Sequence, residues 1–184
     1  MDLTPLMKPT SVAVVGASQR MGRATRVVAN LQRFGYGGRV FPINPKYPDV
    51  LGLPCYPDLA STPAPADVVV VAIPAEQVPG LLEAAVESGV RAAVILSSGF
   101  GEAGPVGKAR QATLERLAAE RGLLICGPNC YGVFNVRAGA SAFSADFIDE
   151  KSGWIPQTVV VRVQSPSGPI LQLNTVRLRR IERR

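Results

Sequence analysis

Histidine is missing from this chain of 184 residues, and its absence excludes several kinds of chemistry. Without an imidazole there is no histidine general acid or base, no Ser-His or Cys-His nucleophile pair, no histidine metal ligand and no phosphohistidine intermediate. Cysteine is scarce: Cys55, Cys126 and Cys130 are too few for a disulfide scaffold, and their spacing is not that of a zinc site. We therefore predict no metal site and no catalytic residue in this sequence.

Long apolar runs are also missing. No run approaches the roughly 20 residues that a membrane helix needs, and the first residues carry an acid at Asp2 and no cleavage signal. Apolar residues make up 47% and charged residues 18%, which is the composition of a globular domain. We expect no membrane contact and a cytoplasmic location.

The net charge of +6 is confined to one end of the chain. Residues 151–184 contain seven basic residues and one acidic residue, whereas residues 1–150 carry equal numbers of both. The basic excess therefore does not indicate a nucleic-acid surface on the body. A ligand-sensing regulator that binds nucleic acid through this end is one alternative, supported by the charge alone. We do not expect a nucleic-acid partner.

Short apolar runs alternate with amphipathic segments through the first 126 residues. Nearly continuous apolar character predicts buried strands at 11–15, 39–43, 67–73, 92–96 and 123–126. Apolar residues at helical spacing predict helices at 22–34, 76–88 and 106–121. This order predicts an α/β domain with a Rossmann-like, doubly wound parallel sheet of about five strands.

Two stretches lack such a pattern. Residues 47–66 include five prolines, which predicts a loop with at most one helical turn near 58–61. Beyond residue 143 only 158–164 resembles a strand, and it has no predicted partner. We predict a domain at 1–145, followed at 146–184 by a linker and either a truncated second domain or a basic tail. We expect the body to fold without residues 151–184.

The turn after the first predicted strand is a candidate phosphate site. Ligands of doubly wound sheets bind beyond the carboxyl ends of the strands, where the strand order reverses. Gly16 follows the first strand, and residues 16–22 lead into a helix whose amino end favours an anion. The segment lacks the full G-x-G-x-x-G pattern, so a plain tight turn is the alternative interpretation.

The end of the second predicted strand bears on the choice of ligand. It carries Asn44 and Lys46 where an NAD-binding domain needs Asp or Glu. A cation there suits a ribose phosphate, as in coenzyme A or NADP, although Lys46 is equally consistent with an ordinary exposed lysine. An NADP-binding Rossmann oxidoreductase fragment is the alternative function, with mainly Glu102 and Cys130 as titratable groups in the loops.

Three more segments follow predicted strand ends. Pro74 ends one strand, and residues 97–104 supply hydroxyls and glycine N–H groups after the next. In the segment 126–135, Asn129 can orient a loop and Cys130 is expected to be an exposed thiol. Cys126 ends an apolar strand and is expected to be inert core.

Five motifs in order resemble a known family: VVGASQRMG, GRVFPINPK, VVVVAIPAEQVP, GVRAAVILSSGFGEAG and GPNCYGVFN. They are similar to the CoA-binding domain that opens the NDP-forming acyl-CoA synthetases, which is related to the α subunit of succinyl-CoA synthetase. The resemblance implies coenzyme A as cofactor, with its phosphates at Ser18–Arg20, its adenosine phosphate at Lys46 and its thiol near the GPNC loop. The predicted cofactor-binding residues are Gly16, Ser18, Gln19, Arg20, Gly22, Lys46, Ile73, Pro74, Leu96, Ser97, Ser98 and Asn129.

The sequence also departs from that family. There, a flavodoxin-like domain follows and supplies the histidine that carries phosphate, whereas here residues 159–168 only resemble its opening. The resemblance therefore implies a CoA or acyl-CoA binding domain that is not catalytic by itself. A separate synthetase subunit is a candidate partner.

Overall fold

The computed structural model describes residues 2–135 and 139–144, together with the backbone of short strands at 154–156, 163–164 and 178–180. The first part of the predicted strand, 158–162, and most of the C-terminal extension lie outside the described residues. Among the residues described, no helix is both long enough and apolar enough to cross a membrane.

The described part of the chain consists of strands and helices joined by short loops. The strands are β1 (Ser11–Val15), β2 (Arg39–Ile43), β3 (Asp49–Val50), β4 (Leu53–Pro54), β5 (Val68–Val71), β6 (Ala92–Ile95), β7 (Leu124–Cys126), β8 (Gly132–Asn135), β9 (Ala140–Phe143), β10 (Trp154–Pro156), β11 (Val163–Gln164) and β12 (Leu178–Arg180). The α-helices are α1 (Thr4–Met7), α2 (Arg23–Arg33), α3 (Val78–Glu87) and α4 (Gly104–Arg121). A single 3₁₀ turn precedes each of α3 and α4, at Ala75–Gln77 and Gly101–Ala103.

The main sheet has the order β11-β7-β6-β5-β1-β2. The five strands from β7 to β2 are parallel, and β11 pairs with β7 in the antiparallel sense. The chain runs from β1 outward to β2 and then returns to β5 on the other side of β1, so the strand order reverses between β1 and β5. This arrangement confirms the predicted Rossmann-like α/β fold.

The side chains of β1 alternate between two hydrophobic clusters on the two faces of the sheet. Val12 and Val14 pack in the cluster covered by α2, and Ala13 and Val15 pack in the cluster covered by α3 and α4. Strands β5 and β6 are buried along their whole length because both of their faces are covered. Burial on both faces explains their continuous apolar sequence.

Two features differ from the sequence prediction. The predicted loop 47–66 contains the β3–β4 hairpin, whose tip places Leu51 and Gly52 at positive φ. The segment near 58–61 is a turn, within the limit of one helical turn that the sequence predicted, and in it the Asp58 carboxylate accepts from the N–H and the hydroxyl of Ser61. Part of the segment 158–164 does have a partner, since β11 extends the sheet beside β7.

A second hairpin, β8–β9, extends the body to residue 144. Its strands pair from Gly132 with Phe143 to Asn135 with Ala140. The Asn30 side chain of α2 donates to the Phe143 carbonyl at 2.8 Å, and the rings of Phe34 and Phe134 lie 4.9 Å apart. The hairpin therefore packs on α2, and the Ser144 N–H that follows it donates to the Tyr131 carbonyl of the preceding 127–131 loop at 2.8 Å.

Candidate functional site

Two clefts lie at the carboxyl edge of the sheet, where the strand order reverses. The smaller, about 420 Å³, lies between the start of α2 and the ends of β5 and β6. The larger, about 730 Å³, lies between the end of β2, residues 57–60 and α3. Gly16, Ile73 and Pro74 line both clefts, so the two adjoin across the end of β1. This is the place where doubly wound sheets bind their ligands.

The β1–α2 turn is a tight backbone turn. Gly16 has φ +90°, and a Cβ there would overlap the carbonyl of Ala72 at the end of β5. The Thr25 hydroxyl accepts from the Ser18 N–H at 3.0 Å and donates to the Ser18 carbonyl at 2.8 Å. A threonine of α2 therefore fixes the turn through both backbone groups of Ser18, which stands where the G-x-G-x-x-G pattern has its second glycine.

The predicted phosphate residues occupy different parts of this turn. Gly22 lines the smaller cleft, whereas Ser18 is half-buried and both Gln19 and Arg20 are exposed outside the linings of the two clefts. Ser18 also donates its hydroxyl to the Arg20 carbonyl at 3.0 Å. The turn thus places Gly22 at the cleft and the charged side chain of Arg20 in solvent.

The amino end of α2 faces the smaller cleft. Gly22 is the N-cap, no side chain caps the helix, and the first turn holds no acidic residue. Arg23 and Ala24 line the cleft beside Gly22. An uncapped helix start that carries a partial positive charge is suited to an anion.

Arg23 was not among the residues that we predicted from the sequence. Its guanidinium donates to the carbonyls of Leu96 and Cys130, and it lies 5.8 Å from the centre of the Tyr131 ring. Arg23 therefore joins the start of α2 to the end of β6 and to the 127–131 loop. The charge of an arginine in the first turn of a helix is unfavourable beside the positive end of the helix dipole. The position of Arg23 was therefore a sequence signal that its side chain has partners outside the helix.

The end of β2 carries an amide in place of a carboxylate. The Asn44 side chain donates to the Ala17 carbonyl at 2.7 Å and accepts from the Lys46 N–H at 3.0 Å. Lys46 is exposed and lines the larger cleft, together with the exposed carboxylate of Asp58. Hydrogen bonds from Ser61 lower the pKa of Asp58, so this cleft has one charge of each sign.

The ends of β5 and β6 bring together four more predicted residues. Ile73, Pro74, Ser97 and Ser98 line the smaller cleft, and the Ser97 hydroxyl donates to the Ile73 carbonyl at 2.6 Å. Leu96 also borders this cleft, but its side chain is fully buried in the core. Ser98 is exposed and is therefore the freer of the two hydroxyls.

The 127–131 loop contains one confirmed and one wrong expectation. Cys126 is fully buried, as predicted. Cys130 is also buried, contrary to the prediction of an exposed thiol, because its sulfur turns inward to 3.3 Å from the Ile95 carbonyl and 4.0 Å from the Cys126 sulfur. Asn129 is exposed, has φ +53°, and lies outside the linings of the two clefts.

The remaining titratable candidate, Glu102, has a local structural role. Its carboxylate accepts from the Gly99 N–H at 2.7 Å, and this bond lowers the pKa of Glu102. An exposed carboxylate with a lowered pKa is a poor general acid. Among the described residues, no group of three potential metal ligands lies close enough to hold an ion.

Comparison with known proteins identifies the family. Residues 10–135 match the sequence profile of the CoA binding domain. The chain belongs to this family. The family match and the relatives described next support a CoA-binding domain over the alternative of an NADP-binding oxidoreductase fragment.

The relatives are ligases and synthetases that use coenzyme A. The chain is 38% identical over 139 residues to acetate–CoA ligase (ADP-forming) II of Archaeoglobus fulgidus, covering 75% of this chain and 21% of that protein. It is 36% identical over 156 residues to the alpha subunit of acetate–CoA ligase (ADP-forming) I of Pyrococcus furiosus, covering 77% of this chain and 32% of the subunit. The chain therefore spans less than a third of the length of these relatives.

A solved structure shares both sequence and fold with this domain. It is the dinucleotide-forming acetyl-coenzyme A synthetase 1 of Ca. Korarchaeum cryptofilum in complex with phosphate and ADP, with 34% identity and a TM-score of 0.74. The match covers 79% of this chain and 31% of the other. The resemblance to NDP-forming synthetases noted in the sequence is confirmed.

Proposed function

We propose that this domain binds coenzyme A or an acyl-CoA along the two adjoining clefts. The observation that carries the proposal is the combination of an uncapped helix start at one cleft with Lys46 and no β2 carboxylate at the other. A molecule with a diphosphate at one point and a ribose phosphate at another matches this distribution of charge. NAD lacks the ribose phosphate and requires the acid that Asn44 replaces.

The proposed roles follow the positions of the residues. The diphosphate binds at the amino end of α2, with Gly16 and Gly22 allowing close approach and Ser18, Gln19 and Arg20 at the rim. Lys46 binds the ribose phosphate, and Ile73 and Pro74 contact the middle of the molecule. Leu96, Ser97 and Ser98 border the remaining path, and Asn129 fixes the neighbouring loop through its N–H, which donates to the Ser97 carbonyl at 2.9 Å.

We further propose that the domain serves a ligase and is not catalytic alone. Support comes from relatives named acetate–CoA ligase (ADP-forming), one of them an alpha subunit, and from the absence of histidine in this sequence. A separate synthetase subunit would then supply the groups that carry phosphate. A cytoplasmic location stays a prediction.

Calorimetric titration with coenzyme A, dephospho-CoA, NAD and NADP tests the ligand. We expect coenzyme A to bind and NAD not to bind, and coenzyme A at a hundred times its Kd should stabilise the fold by about 2.7 kcal/mol. Lys46→Ala should weaken coenzyme A about tenfold, the equivalent of about 1.4 kcal/mol, and leave dephospho-CoA unchanged, because only the former carries the ribose phosphate.

Lys8→Ala is the matched control, because Lys8 is exposed and precedes β1 at the opposite edge of the sheet. It should leave both affinities unchanged. Binding of NAD with no heat from coenzyme A would reject the proposed function, and tight binding of NADP would favour the oxidoreductase alternative. If Lys46→Ala lowers the affinity for coenzyme A and for dephospho-CoA equally, Lys46 does not bind the ribose phosphate as proposed.

A further inference from the structure

Two cysteines that the proposed function does not use lie against each other at the end of β7. The Cys126 and Cys130 sulfurs are 4.0 Å apart, and both residues are free thiols. Cys126 is fully buried, and Cys130 is 8% exposed. Buried cysteines are usually inert core residues, but two thiols in contact can react with each other.

We propose that Cys126 and Cys130 form a redox-active pair, which hydrogen peroxide converts to an intramolecular disulfide. The proposal rests on the contact between the sulfurs and on the different attachment of the two residues. It does not depend on coenzyme A binding.

One cysteine is fixed and the other lies on a loop. Cys126 is held in the sheet, where it pairs with Val94 of β6 and Val163 of β11. Cys130 lies on the 127–131 loop, which is tied to its surroundings by the Asn129 N–H and by the donation of Arg23 to the Cys130 carbonyl. A disulfide requires the sulfurs to approach to about 2.05 Å, so they must close by about 2 Å, mainly through movement of Cys130.

The two thiols differ in acidity in a way that assigns their roles. A hydrogen bond from the Cys126 thiol lowers the pKa of Cys130, and the Gly132 N–H and the charge of Arg23 act in the same direction. The same pairing and its burial raise the pKa of Cys126. Cys130, which has the lower pKa and is the more exposed, is therefore the attacking thiol, and Cys126 resolves the product.

The reaction has two steps. The Cys130 thiolate attacks one peroxide oxygen, so that an S–O bond forms, the O–O bond breaks and hydroxide leaves to take up a proton as water. The Cys126 thiol then attacks the sulfenic sulfur, an S–S bond forms, the S–O bond breaks and a second water leaves. In total, two thiols lose two electrons and two protons, and the peroxide is reduced to two waters.

Trypsin separates the pair from the third cysteine, which makes the test direct. Cleavage after Arg121 and Arg137 leaves both members in the peptide 122–137, while Cys55 lies in the peptide 47–91. The folded chain is treated with hydrogen peroxide at neutral pH, alkylated without reduction, digested and measured by mass spectrometry. Cys55 is half-buried, and burial raises its pKa, so it is an internal control without a cysteine partner among the described residues.

We expect the peptide 122–137 to lose two hydrogen atoms and both alkylation sites, while Cys55 stays alkylated. Cys126→Ala should abolish this loss and leave a Cys130 sulfenic acid that a sulfenic-acid-trapping reagent labels. If that variant does not fold, the mass of the peptide 122–137 from the wild-type chain alone tests the proposal. The peroxide concentration is then raised until Cys55 is oxidised, and the proposal is overturned if both cysteines of the pair are still alkylated at that concentration, or if the peptide gains oxygen in place of losing hydrogen.

Discussion

Asp67 connects the starts of three strands at the edge of the sheet opposite the clefts. Its carboxylate accepts from the N–H and the hydroxyl of Thr10, both at 2.7 Å, and from Arg91 at 3.0 Å. Burial raises the pKa of Asp67, but the bonds from Thr10 and Arg91 outweigh it and lower the pKa overall. The ionised carboxylate is thus more stable in the folded state than in the unfolded chain.

We expect Asp67→Asn to lower the free energy of unfolding by about 1–2 kcal/mol at pH 7, because hydrogen bonds to a charged group are lost. The contribution of Arg91 is small, since its side chain is 62% exposed. A lowered folded-state pKa means that the stabilisation is complete above the unfolded-state pKa of about 3.9 and is lost as the pH falls through the folded-state value. The difference between variant and wild type should therefore shrink with acidification.

Urea unfolding at several pH values between about 7 and 3 measures this difference. Asp58→Asn is the control, because Asp58 also has a lowered pKa but is completely exposed, so its effect should be smaller at every pH. A difference for Asp67→Asn that stays constant with pH would mean that the substitution acts through packing and not through charge.

At the scale of elements, the sequence predicted the helices and strands in which buried residues recur at a regular spacing or form a continuous run. Strands β1 and β2 occur at the predicted residues, and the helices α2, α3 and α4 lie within two residues of their predicted bounds at either end. Both faces of β5 and β6 are buried, so their apolar runs identify them. The β3–β4 hairpin was missed because strands of two residues contain no detectable period.

The site was predicted less completely, because its loops are held by contacts between distant residues. Arg23 bonds to carbonyls 73 and 107 residues away, and no local pattern contains those pairings. Cys130 was misplaced for the same reason, since the direction of a loop side chain is set by tertiary contacts such as that with Ile95. The glycine-rich and proline-rich turns that line the clefts were found because strand ends and breakers are local signals.

Arg23 should therefore control the order of the 127–131 loop. We expect Arg23→Met to speed hydrogen exchange at the Asn129 N–H, because the neighbouring Cys130 carbonyl loses its donor. Loss of two bonds from a charged donor should also lower the free energy of unfolding by about 1–3 kcal/mol. Hydrogen exchange by NMR and urea unfolding measure the two effects.

Arg121→Met is a matched control at the exposed carboxyl end of another helix, α4. This substitution should lower the free energy of unfolding by only about a few tenths of a kcal/mol, because a favourable charge at the carboxyl end of a helix is lost. It should leave hydrogen exchange at the Asn129 N–H unchanged. Unchanged exchange in Arg23→Met would show that the Asn129–Ser97 bond holds the loop without the arginine.

For the whole molecule, we compare the body with the C-terminal extension; among the residues whose side chains the structure describes, all members of both hydrophobic clusters precede the extension. Their members run from Leu6 to Ala142 and enclose the main sheet on both faces. The described contact between the extension and this sheet is the pairing of Val163 and Gln164 with Cys126 and Ile125. The extension also carries the net charge, because residues 1–150 are neutral.

We therefore predict that a chain cut after residue 145 folds and retains its affinity for coenzyme A, measured by urea unfolding and calorimetry. Loss of the β11 pairing should cost about 1–2 kcal/mol, since only two residue pairs are removed. Val163→Pro in the full chain is the matched variant, because proline has no N–H to pair with β7. If the pairing is the extension's main contribution, this variant and the truncated chain should lose similar stability. An unfolded truncated chain beside a stable Val163→Pro variant would show that the extension contributes to the core in other ways.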